Sequence, residues 1–499
     1  MGTDRRAGPG VPIGGRLVSE IGADPGIPSN RVVLSLLLAT LMQAFDATIV
    51  NVALPSIQRT LAIDTAAAGW VVTTYLVAAS ATMPVAGWLR LRFGREPLFV
   101  GTVAGFALAS VLCALAPTVV ALVAARAAQG ACAGIILPLT QALLLDLHPK
   151  SKHPAILARW GSTIVIGPII GPLLGGALTH FVSWSWIFYV NVPICCLALL
   201  GVRGALSPLS RAASAPKSKI DLMGIALLVL TVTSFELLLQ NGAARGIWVG
   251  WDWIVEAGVT IAGGALLLRH FDRTAQPVID IHLFHDRNFA GAVLINVVVG
   301  AIFFATITLV PSLIEGPLGR DPLTAGILMA PRGIATMAAM LAAGHLLKTL
   351  DPRPFVLLGL VITMAALAMF AATGPDAGIA WLIAASLVLG IGAGCLITPL
   401  SVLTFLTIVP ESRTDAAGLY NLARQLGGAV GVAGVTAVVA ALTPTAMAQP
   451  HTLGALGGYY TAFFLLVLLA TLAIPAVSMF RIGAVARSKP AESGGGAES

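Results

Sequence analysis

The sequence predicts an all-α polytopic membrane protein with fourteen transmembrane helices, and three observations carry that expectation. Of the 499 residues, 57% are apolar and only 10% charged, with a mean hydropathy of +0.91; soluble domains hold about 45–50% apolar and about 25% charged residues. Fourteen segments each supply the ~20 mostly apolar residues that a helix needs to cross a bilayer core of about 30 Å. The alternating segments of about ten residues that mark a membrane β-barrel are missing.

In chain order the spans are expected at 32–54, 67–89, 98–116, 118–142, 154–178, 184–202, 222–240, 252–269, 289–311, 323–345, 354–373, 377–400, 414–441 and 456–480. Basic residues orient them. Arg59, Arg245 and Arg320 lie in odd-numbered connections, and Arg126, Arg159, Arg332 and Arg424 lie inside spans. All other Lys and Arg residues, among them Arg90, Arg92, Arg95, Lys150, Lys152, Lys217, Lys219, Arg269 and Arg273, fall at the termini and in even-numbered connections. Cytoplasmic loops hold the excess of Lys and Arg, so both termini are expected in the cytoplasm. An odd number of spans would break this alternation.

The resulting organisation is six, two, six. A tail (1–30) precedes an N-terminal six-helix bundle (31–202) and a linker (203–221). Two inserted helices (222–270), a connection (271–288), a C-terminal six-helix bundle (289–480) and a second tail (481–499) follow. Residues 1–30 are polar and rich in Gly and Pro, without the apolar stretch of a signal peptide. The two bundles share an echo in their fourth spans. Gly130-Ala-Cys-Ala-Gly134 leads to Pro138, and Gly390-Ile-Gly-Ala-Gly394 leads to Pro399. Parallel halves of this kind, with a site between them at mid-depth, are a transporter arrangement.

Composition also excludes function classes. The net charge of +7 and pI of 9.4 reflect basic residues at the membrane surface, not nucleic-acid binding. Cys113, Cys132, Cys195, Cys196 and Cys395 all sit in apolar stretches, against structural disulfides or a zinc site. His148 and His153 have no further ligand candidates nearby, so no metal is expected. The Gly390 run lacks the strand-turn-helix setting of a dinucleotide site, and no Gly-x-x-x-x-Gly-Lys-Ser/Thr loop exists. An enzyme and an ATP-driven pump are thereby excluded.

Ionisable groups at membrane depth are costly and mark function by default. Asp46 in span 1 and Arg126 in span 4 each lie eight residues from the outer end of their span, about 12 Å deep at 1.5 Å per residue. Equal depth allows a pair, either a proton-exchanging carboxylate with its cation or a permanent structural bridge. Glu236 in span 7 is expected about 6 Å from the outer end. It is there an interfacial charge, an extra coupling site or an attractor of cationic compounds. Arg332 and Arg424 either face a central cavity or snorkel; with Asn51, Tyr75, Gln129, Gln141 and Asn421 they are the candidates for a substrate cavity. Asp415 reads as a helix-start charge.

Span 5 carries Gly167-Pro168-Ile-Ile-Gly171-Pro172-Leu-Leu-Gly175-Gly176. Glycines every four residues form a stripe that lets another helix approach closely, and the prolines remove backbone donors.

These residues resemble the major facilitator superfamily, specifically its fourteen-span drug:proton antiporters of the EmrB/QacA type. Phe45-Asp-Ala-Thr-Ile-Val-Asn-Val-Ala-Leu-Pro55 is similar to that family's span-1 motif, Arg126-Ala-Ala-Gln-Gly130 to its span-4 motif, and Gly167 through Gly176 to its antiporter motif. Trp184-Ser-Trp-Ile-Phe-Tyr-Val-Asn-Val-Pro193, Asp280 through Phe289 and Asn421 through Gly428 are further signatures. The gating loop Gly87-Trp-Leu-Arg-Leu-Arg92-Phe-Gly94-Arg95 departs from the pattern, with Leu91 where the superfamily usually has Asp. The resemblance implies a multidrug exporter in a bacterial inner membrane, working by alternating access without a cofactor. The proton gradient would drive it, with Asp46 and Arg126 in proton coupling; Glu236 is a second departure, standing where relatives often carry a neutral amide, and is the candidate for an extra coupling site. Its partners would be the lipid bilayer, small amphipathic drug-like substrates and protons, with a membrane-fusion adaptor and an outer-membrane channel in a Gram-negative host. Two other readings compete: a dedicated exporter of one endogenous product such as a fatty acid, siderophore or antibiotic, and a non-transporting scaffold or receptor. A scaffold would not need the intramembrane Asp and Arg.

Overall fold

The computed structural model describes residues 30–202, 221–245, 250–274, 277, 279–443 and 453–481. The expected tails and nearly all of the 203–221 linker lie outside the described residues. Thirteen described helices are long and apolar enough to cross a membrane, and Trp186–Val202 is a shorter apolar helix that stands as span 6. Spans 1 to 5 are Asn30–Leu61, Thr65–Thr82 with its continuation Ala86–Phe93, Arg95–Ala114, Val119–Asp146 and His153–Phe181. Span 6 is Trp186–Tyr189 and Asn191–Val202; the inserted spans 7 and 8 are Leu222–Arg245 and Trp251–Arg273. Spans 9 to 14 are Arg287–Glu315, Pro322–Leu346, Pro352–Ala371, Ile379–Phe405, Arg413–Leu442 and Leu453–Ala473. Several helices outrun their apolar segments: span 1 reaches Leu61 and span 7 reaches Arg245.

Local chemistry sets many of the helix starts. Asp64, Thr118, Asp286, Asp321 and Asp351 each accept a first-turn backbone N–H at the start of spans 2, 4, 9, 10 and 11. A cap of this kind contributes about 1 kcal/mol. Spans 2 and 3 are joined through Gly94 alone, at φ 87°, a left-handed conformation that glycine adopts without steric cost.

The two six-helix halves use the same pairing. In the first half span 1 packs along span 5, and spans 2 and 3 along span 4; in the second, span 9 packs along span 13, and spans 10 and 11 along span 12. The glycine echo explains part of this match. Gly130 and Gly134 lie against the backbone of Tyr75 and Ala79 in span 2, while Gly390 and Gly394 lie against Arg332 and Thr336 in span 10. In each half the fourth span therefore approaches the second at backbone distance.

Both described chain ends lie on one face, which we call the terminal face. There Ser35 near the start of span 1 meets Gly201 at the end of span 6, and Asn288 at the start of span 9 exchanges two hydrogen bonds with the Arg481 backbone. The halves touch on this side. Span 5 packs on span 10, span 4 on span 13, and the end of span 2 on the start of span 13.

Candidate functional site

Asp46 and Arg126 form a fully buried ion pair, Nη1 to Oδ2 at 2.6 Å. The other carboxylate oxygen of Asp46 accepts from Gln129 Nε2 at 2.9 Å and from Asn191 Nδ2 at 2.7 Å. Arg126 also donates to Gln129 Oε1 at 2.7 Å and to the Val71 carbonyl at 3.1 Å. Its guanidinium lies 4.0 Å above the centre of the Tyr75 ring, a geometry that adds cation–π attraction. Ser110 in span 3 closes the network by accepting from Gln129 at 2.8 Å. Five spans, 1, 2, 3, 4 and 6, thus meet at one charge pair whose acceptors and donors are almost all satisfied. Burying such a pair costs desolvation that only geometry of this quality offsets.

The span-5 glycines pack on span 1 beside this site. Gly167 lies against the Ala44 backbone, Gly171 against Thr48 and Gly175 against Ile49, the span-1 residues on either side of Asp46. Thr48 Oγ1 donates to the Gly167 carbonyl at 3.2 Å. Gly176 stands apart: a Cβ there would meet only Val52, at 3.8 Å. Helix His153–Phe181 runs unbroken through Pro168 and Pro172.

On the terminal face Asp146, at the end of span 4, bridges the halves. It accepts from Arg95 at 2.8 Å and from Arg413 of span 13 at 2.7 Å. Arg90 donates to the Glu411 carbonyl across the same seam, and Gly87 packs directly on the Asp415 carboxylate, itself in the first turn of span 13. Of the expected gating residues, Gly87 and Arg95 lie at this seam and Gly94 joins spans 2 and 3, whereas Arg92 is exposed and Arg90 is the arginine that reaches across. Helix geometry gives the reason: residues two apart point to different faces. The missing Asp at Leu91, which is itself exposed, leaves Asp146 as the acid that receives the C-terminal half.

Asp146→Asn is accordingly expected to loosen this seam. The buried Arg413 and the partly buried Arg95 lose a shared carboxylate, at a cost of about 1–3 kcal/mol, which shifts the balance of conformers by tenfold or so. Hydrogen–deuterium exchange over residues 83–95 and 411–421 should rise. Unchanged exchange would show that the bridge does not hold the halves.

Away from the terminal face, a cavity of about 550 Å³ lies between spans 1, 2, 7, 9 and 13. Asn51 lines it, as expected of a cavity residue. The other candidates do not. Tyr75 and Gln129 belong to the Asp46 network, and Gln141 accepts from Asn421 at 2.9 Å across the seam. Arg424 donates to Asn421 Oδ1 at 3.2 Å, and Arg332 donates to the Phe303 carbonyl at 3.2 Å, above the Phe303 ring. For most of these the physical reason is that polar groups in a dry interior pair with other polar groups of the protein first; Arg332 pairs with a backbone carbonyl, and its Nη1 has no hydrogen-bond partner. Glu236 also differs from its expected interfacial place. It is 8% exposed, nine residues from the helix end at Arg245, and lines the cavity with Gln240.

Sequence reasoning missed Asn191, Ser110, Asp146 and Arg413 as site residues. Asn191 was within a recognised signature, Trp184 through Pro193. Asp146 is the only acid at the terminal-face end of span 4, which was a usable signal.

Three comparisons bear on identity. The Major Facilitator Superfamily model matches residues 36–432. The multidrug export protein EmrB of Haemophilus influenzae is 33% identical over 400 residues, covering 80% of this chain and 78% of that protein. The multidrug resistance protein B homolog of Mycobacterium tuberculosis is 32% identical, covering 79% and 73%. The fatty acid resistance protein FarB of Neisseria gonorrhoeae is 31% identical, covering 84% and 82%. In fold, the chain is similar to the human organic anion transporter MFSD10 (TETRAN), with a TM-score of 0.65 at 15% identity, covering 90% of this chain and 99% of that one. The chain belongs to the major facilitator superfamily, in its fourteen-span drug:proton antiporter family.

Proposed function

We propose that this transporter exports amphipathic and hydrophobic compounds across a bacterial cytoplasmic membrane in exchange for protons, by alternating access. Multidrug export as such follows from the family and from relatives named for it; proton coupling, direction and membrane are our reading. The observation that carries the coupling is the buried Asp46–Arg126 pair, the kind of intramembrane acid that marks proton relays. With the basic terminal face in the cytoplasm, the seam at Asp146 is the closed inner gate, and the cavity beside Asn51 and Glu236 opens toward the outside. Protonation of Asp46 from that side would free Arg126 and let the halves rock. No cofactor enters this scheme; the proton gradient supplies the energy.

In a host with two membranes, a membrane-fusion adaptor and an outer-membrane channel would carry the substrate onward. Similarity to FarB keeps a dedicated fatty acid exporter as the second reading. An acid in the cavity argues against an anionic substrate, because like charges repel in a low dielectric. The test is efflux of a resistance panel from an efflux-deficient host, with and without a protonophore. Export of several unrelated compounds that the protonophore stops supports the reading. Export that persists without a proton gradient, or that is confined to one fatty acid, overturns it.

A further inference from the structure

The two seams between the halves are built differently. Span 5 packs directly on span 10, whereas away from the terminal face the gap between spans 2 and 13 is filled by span 7, which packs on both. Gln240 Nε2 ties span 7 to span 2 by donating to Thr73 Oγ1 at 2.5 Å. An inserted helix, outside both six-helix halves, therefore forms one wall of the central cavity.

That wall carries the only ionisable side chain lining the cavity among the described residues, Glu236. Asp46 faces Arg126, and Asp146 faces Arg95 and Arg413. No described Lys, Arg or His lies within ion-pair distance of Glu236. The remaining lining is mostly apolar, with Leu54, Val72, Leu76 and the Phe304 ring, and it carries the amides of Asn51 and Gln425. A carboxylate in such surroundings without a counter-charge is costly, and a bound cation removes that cost. A volume of about 550 Å³ falls within the range of roughly 300–1,000 Å³ typical of drug-sized ligands, and Phe304 offers a ring face to a cation.

We infer that Glu236, carried by the inserted span 7, is the cation-recognising residue of this cavity, which takes one monovalent organic cation with an apolar body. The inference rests on the exporter reading and narrows its substrate class. Its test is equilibrium binding to the purified full-length protein in detergent, with tetraphenylphosphonium as the cation and triphenylphosphine oxide as a neutral compound of similar shape. The wild type should prefer the cation by about tenfold or more, the weight of one charge-assisted contact. Glu236→Gln should abolish that preference, while Glu236→Asp, which keeps the charge, should retain most of it. The inference is overturned by a wild type that binds no tetraphenylphosphonium or shows no preference, or by a preference that survives Glu236→Gln. Binding needs no gradient, so failure here is separate from failure of proton-driven export.

Discussion

Asp46→Asn is expected to reduce pH-driven efflux to the rate of membranes lacking the protein. An amide cannot exchange a proton in this range, so the coupling chemistry is lost outright. The local structure changes as well. Asp46 accepts from three donors, on Arg126, Gln129 and Asn191; an amide offers one acceptor oxygen and brings an NH2 group among them. Arg126 is left as a buried cation without its anion, a loss of about 3–5 kcal/mol when a buried pair is broken. Transport failure could then reflect misfolding, and the double variant Asp46→Asn/Arg126→Gln separates the two causes. Removing both charges should restore the amount of protein in the membrane without restoring efflux. Inverted vesicles with an imposed pH gradient provide the measurement. Wild-type efflux by Asp46→Asn, or efflux regained in the double variant, would remove Asp46 from the mechanism.

The same residues show what the sequence made legible. Hydropathy reports directly on the bilayer, so the spans could be placed, and counting from a span end converts position into depth. Counting from the ends of the apolar segments put Asp46 and Arg126 at one level, and the two are in contact, although the first helix itself runs on to Leu61. It took Glu236 for an interfacial group because it did not register the cavity wall that this side chain lines, where it is buried. Depth is one coordinate only. Which way a helix faces decides whether Gln141 meets a substrate or Asn421, and that rotation is fixed by packing between segments far apart in sequence. The Asp146–Arg413 bridge is harder still to read from sequence, since it joins residues 267 positions apart. It further depends on which side of the transporter is closed. Gly130 and Gly390 were readable as an echo, but their partners on spans 2 and 10 were not.

Substitution of the span-5 stripe should follow the same geometry residue by residue. Gly171→Leu is expected to abolish export while the protein still accumulates in the membrane. A Cβ at Gly171 already collides with Thr48 Oγ1, and the neighbouring contacts of Gly167 with Ala44 and Gly175 with Ile49 leave span 1 no room to slide along the stripe. An isobutyl group must push the two helices apart. Overpacking of this kind costs about 1–3 kcal/mol, small against the hydrophobic burial that keeps fourteen spans in the bilayer. The same displacement moves Asp46 relative to Arg126, where the hydrogen bond is 2.6 Å long and leaves little tolerance. Gly176 supplies the internal control, because a Cβ there meets only Val52 at ordinary van der Waals distance. Gly176→Ala should export at close to the wild-type rate, and Gly171→Ala should be clearly impaired, although both add one methyl group to the same helix. Equal rates for the two alanine variants, or normal export by well-expressed Gly171→Leu, would mean that span 1 and span 5 do not need their close contact to transport.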